Sequence, residues 1–357
     1  MPKVEGFDAF RVTMPRGRRP ESILVRLTAD DGSVGWGEVS PAVDTAASSE
    51  ADRIWSDIEE RIAPALLGLD WERPEDVAGL AQLSTRDAAA AVDIACWDLW
   101  CHGRGVPLAH ALGGTRTSVV TGARIDGEPP LDALVAQVNK YVGGGYARVT
   151  LGIRPGWDIE PVRAVRHTFP ALALHVDAGG SYTESPEHLD ALGALDAYGP
   201  VVIERPFARD DLSAHARLQQ QVATAVAPDL RDLDSLVAAI AIEAGRALGV
   251  RLQHFGGLTA ARAAHDRAYA AGWDVWCGGR APFGIAQAAT VALAAMPGCT
   301  LPSDVTDLSG GPEFLSPPVR SHGGVVAVPL TRSGLGHDID EARIAKLATR
   351  TLRLPIK

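Results

Sequence analysis

The chain predicts an α/β protein built on a closed, parallel (β/α)-barrel behind a mixed α+β segment, and three observations carry that prediction. Candidate strand ends recur at Ile125, Gly152, Asp177, Glu204, Asp229, Gln253, Gly278 and Asp304, with intervals of 27, 25, 27, 25, 24, 25 and 26 residues. One strand-turn-helix unit of a closed parallel barrel takes about 25 to 30 residues, so eight such beats match one full circuit. Three successive beats end in an acidic residue after a short apolar run: Asp177 after Ala171-Leu-Ala-Leu-His-Val, Glu204 after Val201-Val-Ile, and Asp229 after Thr224-Ala-Val-Ala-Pro. Finally, 357 residues with 46% hydrophobic content suffice for one large barrel plus a smaller domain. A doubly wound sheet is the alternative, but no GxGxxG follows its would-be first strand.

The elements follow in order. Ser22-Ile-Leu-Val-Arg-Leu-Thr alternates toward a turn at Asp30-Asp31-Gly32, and Gly35-Trp-Gly-Glu38 returns as the partner of a hairpin. Helical periodicity runs over Glu50 to Ala65, Arg73 to Leu83 and Thr85 to Trp100, and glycines near His102-Gly-Arg-Gly105 stop the last helix. From about Ser118 the barrel period takes over. After Gly323, Val325-Val-Ala-Val-Pro-Leu and Gly334-Leu-Gly336 are expected to return to the N-terminal domain as a last strand and turn. No low-complexity linker interrupts the chain.

A net charge of -10 and a pI near 5.5 argue against nucleic acid or an anionic membrane as partners. Cys96, Cys101, Cys277 and Cys299 have neither CxxC spacing nor disulfide-scaffold density, so reduced, buried thiols are expected. No signal-length apolar stretch opens the chain, and no window reaches the 18 or so apolar residues of a membrane span, so a cytoplasmic protein is expected. A homo-oligomer acting on a small molecule completes the expectation. Lysine occurs only at positions 3, 140, 346 and 357.

Carboxylates at three neighbouring strand ends would converge on one mouth and repel one another unless a hard cation sat between them. Mg²⁺ is the usual ion for an all-oxygen site. The plainer reading is that each acid caps its strand or pairs with a neighbouring arginine.

Several stretches together resemble the enolase superfamily, specifically its muconate-lactonizing branch with the o-succinylbenzoate synthases and N-succinylamino acid racemases. They are Ala88-Ala-Ala-Ala-Val-Asp-Ile-Ala-Cys-Trp-Asp-Leu99, Pro107-Leu with Leu112-Gly-Gly114, Ile153-Arg-Pro-Gly-Trp-Asp158, Ile203-Glu-Arg-Pro-Phe207 and Trp276-Cys-Gly-Gly279, extended by Leu301-Pro-Ser-Asp304 and Pro329 to Gly336. The resemblance implies a modified TIM (β/α)-barrel, residues 116–324, under an α+β capping domain of residues 1–115 completed by 325–357. It also implies Mg²⁺ on Asp177, Glu204 and Asp229, and chemistry that begins by removing a proton next to a carboxylate. There the metal stabilises the enediolate while lysine or histidine takes the proton; the handling of such carbon acids in this superfamily is a standard case.

The chain departs from that pattern at the bases. Where relatives carry a Lys-x-Lys pair on the second barrel strand, this chain has Thr150 and Gly152. At the sixth-strand lysine it has Gln253 or, counted back from Gly257 without a gap, Arg251. Leu230 replaces a glutamate after the third acid, removing the polar partner of that lysine. Arg205 stands beside Glu204 in place of a glutamine and is the expected rival for that carboxylate.

The candidate catalytic residues are therefore His254, Arg251 and Gln253. A histidine of unshifted pKa near the mouth suits general-base work, although His254 also reads as a loop residue in solvent or on backbone. Arg251 and Arg280 suit bidentate carboxylate binding. Arg280, Asp304 and Thr150 are the candidate substrate contacts, Asp304 reading equally well as structural. His175, two residues before Asp177, is expected buried and satisfied. Gly35-Trp-Gly-Glu38 and the following segment Pro41 to Ser49, short and polar, occupy the place of the family's specificity loop. The expected function is a diverged lyase or isomerase for a small carboxylate-bearing substrate, working by Mg²⁺-assisted cyclisation, elimination or proton transfer without lysine bases. A non-catalytic ligand- or partner-binding descendant is the alternative, and ordinary synthase or racemase activity comes third.

Overall fold

A computed structural model describes residues 3–13, 21–41, 47–67, 69–279, 283–305 and 314–355. Strands Val4–Thr13, Glu21–Ala29 and Val34–Val39 form an antiparallel meander, and Ala348–Pro355 adds to its outer edge beside Val4–Thr13. The expected hairpin is present, its turn closed by Gly32 at φ +82. The chain's end thus does return to the first domain, through the expected turn, where Gly334 N–H binds the Val106 carbonyl and Leu335 N–H binds Asp98, and through Ala348–Pro355. Val325–Ala327, expected in that role, instead pairs with Ser118–Val120 at the barrel rim.

The sheet packs on the helix Arg86–Arg104, capped by Thr85 at its start and by Gly105 at φ +66 at its end. The packing is close enough to demand glycine: a Cβ on Gly37 would lie 1.8 Å from the Ala91 carbonyl oxygen. That helix is buried on nearly every face, because its other side meets the barrel. Asp93 accepts from the backbone N–H and hydroxyl of Thr259, and Asp98 from the N–H groups of Trp36 and Leu335. Glu38 reaches across to the N–H groups of Phe283 and Ala286, where the helix Ile285–Ala294 starts. Buried carboxylates on unpaired backbone donors thus join the two layers.

The barrel strands are Gly122–Ile125, Arg148–Gly152, Ala173–Asp177, Val202–Glu204, Ala225–Ala227, Ala247–Arg251 and Asp274–Gly278. The first five run as one parallel ladder and the last two as another. Ser303 closes the ring: its N–H binds Val120, its carbonyl accepts from Gly122, and the next residue, Asp304, binds the Cys277 carbonyl. Five of the predicted strand ends coincide with the last residue of a strand. Asp229 and Gln253 lie two residues past their strands, Gln253 within the short helix Leu252–Phe255. All four cysteines are buried and unbridged. Among the described residues no helix is long and apolar enough to cross a membrane.

Candidate active site at the barrel mouth

Parallel pairing sets Gly152, Asp177 and Glu204 side by side, and Asp229 follows on the next strand's extension. These are adjacent positions on one rim, as expected. What surrounds them is a set of arginines.

Asp177 is held from two sides. Arg205 clasps it with Nε on Oδ1 at 2.9 Å and Nη2 on Oδ2 at 2.6 Å, and Arg124, from the end of the first barrel strand, places Nη2 2.6 Å from Oδ2. Arg205 was expected to rival for Glu204, yet its Nε stands 3.8 Å from that carboxylate. The cause lies in the backbone: Arg205 has φ 50, a left-handed conformation costly for a non-glycine residue, which turns the side chain back over the preceding strand.

Glu204 is taken by Arg251, Nη2 to Oε1 at 2.5 Å, while His175 Nε2 faces Oε2 at 3.3 Å. Arg148, fully buried, donates from Nη1 to His175 Nδ1 at 2.8 Å. An arginine only donates, so Nδ1 is the acceptor and the ring proton sits on Nε2, toward Glu204. His175 is buried, as expected, but only its Nδ1 is satisfied: Nε2 makes no hydrogen bond, and burial lowers the pKa of the ring. Burial pushes the Glu204 carboxyl up, but Arg251 and His175 outweigh it and hold it well below the usual carboxylate range. Arg148 also pairs with Asp304 and lies over the Trp276 ring, which gives Asp304 a structural partner.

Asp229 receives Arg231 on Oδ2, at 2.8 Å from Nη2 and 3.2 Å from Nε; its Oδ1 makes no hydrogen bond within the protein and faces His254 Nδ1 at 3.8 Å. His254 is neither solvent-facing nor of ordinary pKa. Burial, with the charges of Arg251 and Arg231, pushes it down to about 3. The sequence expectation of an unshifted histidine base is corrected on that ground.

Above these pairs opens a cavity of about 650 Å³ lined by Ser40, Glu50, Asp87, Gly122, Arg124, Asp126, Arg205, Arg231, Arg251, Gln253, His254, Gly279 and Asp304. Its size suits a small ligand. Both register alternatives for the sixth strand contribute: Arg251 ends the strand and Gln253 follows in the short helix. Thr150 is buried below the mouth and is not part of the lining, so the structure does not bring it to the ligand space. Arg280 and part of the Pro41 to Ser49 segment lie outside the described residues.

Sequence reasoning missed Arg124, Arg148 and Arg231; of these only Arg231, two residues after Asp229, carried a usable signal. It also missed Asp87, in the first turn of the helix Arg86–Arg104, whose carboxyl is raised to about 6 by burial and by the neighbouring charge of Glu50.

These residues do not fit a resident Mg²⁺ as they stand. Of the six carboxylate oxygens on the three acids, only Asp229 Oδ1 has neither a cation nor an imidazole within 3.5 Å. Among the described residues no three His, Cys, Asp or Glu side chains are placed to hold one ion.

A capped (β/α)-barrel with acids at successive strand ends beneath an open cavity defines a class, and the comparisons name it. The description "Enolase C-terminal domain-like" matches residues 133–343, and "Mandelate racemase / muconate lactonizing enzyme, N-terminal domain" matches residues 10–113. The chain belongs to the enolase superfamily. It is 35% identical over 346 residues to an o-succinylbenzoate synthase of Geobacillus kaustophilus, covering 93% of this chain and 91% of that one. It is 36% identical over 256 residues to an N-succinylamino acid racemase of Thermus thermophilus, covering 71% and 69%. A crystal structure of an enolase superfamily member from Listeria innocua superposes with a TM-score of 0.93 at 27% identity, covering all of both chains.

Proposed function

We propose that this protein is a lyase or isomerase acting on a small carboxylate-bearing substrate, which arginines rather than a metal and lysines hold at the barrel mouth. The observation that carries the reading is the cavity lining: four arginines, Arg124, Arg205, Arg231 and Arg251, and no lysine among the described residues. Arg205 and Arg231 each use Nε and Nη2 on their own aspartate, so the Nη1 donors remain for a ligand carboxylate. A guanidinium keeps its charge at any working pH and orients a carboxylate, but it cannot serve as a base. Proton transfer is assigned to Asp87, the lining carboxyl whose shift to about 6 brings it toward neutrality. His254, neutral and weakly basic, is better suited to accept a hydrogen bond from the ligand. The Mg²⁺-assisted form of the reaction is not carried forward, because the carboxylates that would hold the ion are engaged by guanidinium groups.

Support comes also from the relatives, one named for making o-succinylbenzoate and one for racemising N-succinylamino acids, both small carboxylate-bearing molecules. The test is a panel of small mono- and dicarboxylates followed by NMR for conversion, with wild type, Arg231→Ala and Asp87→Asn in parallel. Conversion weakened in KM by the first variant and in kcat by the second supports the reading. Full activity in both overturns it.

A second reading is a binding descendant without chemistry, favoured by the low basicity of His254. It takes the lead if panel members raise the melting temperature of the wild type, lose that effect in Arg231→Ala, and are never converted.

A further inference from the structure

We propose that an internal guanidinium lattice has replaced the metal centre of this barrel, so that the mouth excludes divalent cations instead of binding them. Members of the superfamily typically bind Mg²⁺. The proposal does not depend on which substrate the pocket takes.

The lattice is built from rigid positions. Arg124 and Arg251 sit within barrel strands at their ends, Arg205 follows directly on Glu204, and Arg231 lies two residues after Asp229. Each acid has at least one guanidinium of its own: Arg124 and Arg205 on Asp177, Arg251 on Glu204, Arg231 on Asp229. Three of these contacts span different strands, which requires the arginines to meet the carboxylates across the mouth.

Charge counting points the same way. Arg124, Arg148, Arg205, Arg231 and Arg251 are paired with Asp126, Asp177, Glu204, Asp229 and Asp304, a network neutral without any ion. A divalent cation added to it would stand among like charges in a site where Asp177 and Glu204 are almost wholly removed from water, and there repulsion is screened least. Lysine could lose its proton to make room. Arginine cannot, so the exclusion persists across the pH range in which the protein is folded. The left-handed backbone of Arg205 adds a second observation: a strained conformation aims one of these cations at the first acid.

The chemical consequence concerns the kind of anion stabilised. A metal ion concentrates charge on one oxygen and suits a dianionic enediolate. Guanidinium groups spread their charge over planar donors and suit a carboxylate bound as such.

The experiment is a cation titration of the purified full chain after chelator treatment. Mn²⁺ binding is followed by electron paramagnetic resonance and Mg²⁺ by calorimetry and melting temperature, for the wild type and for the double variant Arg205→Gln with Arg251→Lys. The wild type is expected to leave all Mn²⁺ free, to show no heat with Mg²⁺, and to melt at the same temperature with chelator as with millimolar Mg²⁺. The double variant is expected to acquire a Mn²⁺ signal and a Mg²⁺-dependent rise in melting temperature. Stoichiometric wild-type binding that Asp229→Ala abolishes overturns the proposal, and this arm needs no variant of altered charge to fold. A folded double variant that still binds no cation overturns it as well, since something other than the arginines would then be excluding the ion.

Discussion

Arg205 clasps Asp177 with two parallel hydrogen bonds, 2.9 Å from Nε to Oδ1 and 2.6 Å from Nη2 to Oδ2, reaching from the end of the neighbouring strand. The carboxylate is fully buried and a second guanidinium, Arg124, meets the same Oδ2. Its loss leaves two cations at the mouth without their shared counter-ion. Breaking a buried pair from one side costs about 3 to 5 kcal/mol, and the partial exposure of both arginines places Asp177→Ala near the lower end.

Asp229→Ala should cost less, on the order of 1 kcal/mol, because its partner Arg231 is more than one-third exposed and can turn to water. Urea unfolding of both variants checks the order. Equal losses would show that the Asp177 cluster has no special place in the fold.

His254 should remain neutral throughout the range in which the protein is folded. Burial and the charges of Arg251 and Arg231 push its pKa down to about 3. Imidazole resonances followed by NMR are expected not to titrate between about pH 5 and pH 8, in contrast to an ordinary histidine with a pKa of about 6.5. A midpoint near that ordinary value would return His254 to the role of general base.

Exchange of the α-proton of N-succinylamino acids with D₂O should not proceed at a useful rate. No lysine lines the cavity among the described residues: Thr150 is buried, Gly152 has no side chain, and Arg251 is committed to Glu204. A positioned general base contributes about 10² to 10⁴ in rate, and the two bases of a racemase are both missing. Rapid deuterium uptake seen by NMR would show that a side chain outside this set takes the proton.

The barrel was legible from residues 122 to 304 because each strand end is a local event: a short apolar run followed by a polar or glycine stop. The same logic misassigned the tail, since Val325–Ala327 and Ala348–Pro355 offer similar runs and only tertiary packing decides which edge each one joins. The three acids were legible as neighbours on one rim. Their partners were less so, because an arginine side chain is long enough to reach any of several carboxylates. The choice of Arg205 between Glu204 and Asp177 hangs on a backbone angle, φ 50, that sequence does not announce. The shift of His254 was hidden for a related reason, as it depends on two arginines whose direction the sequence leaves open.

The junction between the two layers should make stability depend on pH through Asp93. Its carboxyl is buried against the barrel helix Leu258–Ala270, accepting from Thr259 N at 3.1 Å and from its hydroxyl at 2.6 Å, and burial raises its pKa to about 7 despite those bonds. An unfolded aspartate titrates near about 3.9. The folded state therefore holds this proton more tightly than the unfolded state. Its contribution is fully present below about pH 4, declines as pH rises through the window to about pH 7, and is constant above it. Within that window the slope is at most about 1.4 kcal/mol per pH unit from this one group. Asp93→Asn keeps an oxygen that can accept from Thr259 and removes the titration. Its stability relative to wild type should rise between about pH 5 and pH 7 and then level off, as read from urea midpoints at matched ionic strength. Parallel pH curves for the two proteins would mean that Asp93 is charged in the folded state at all these pH values.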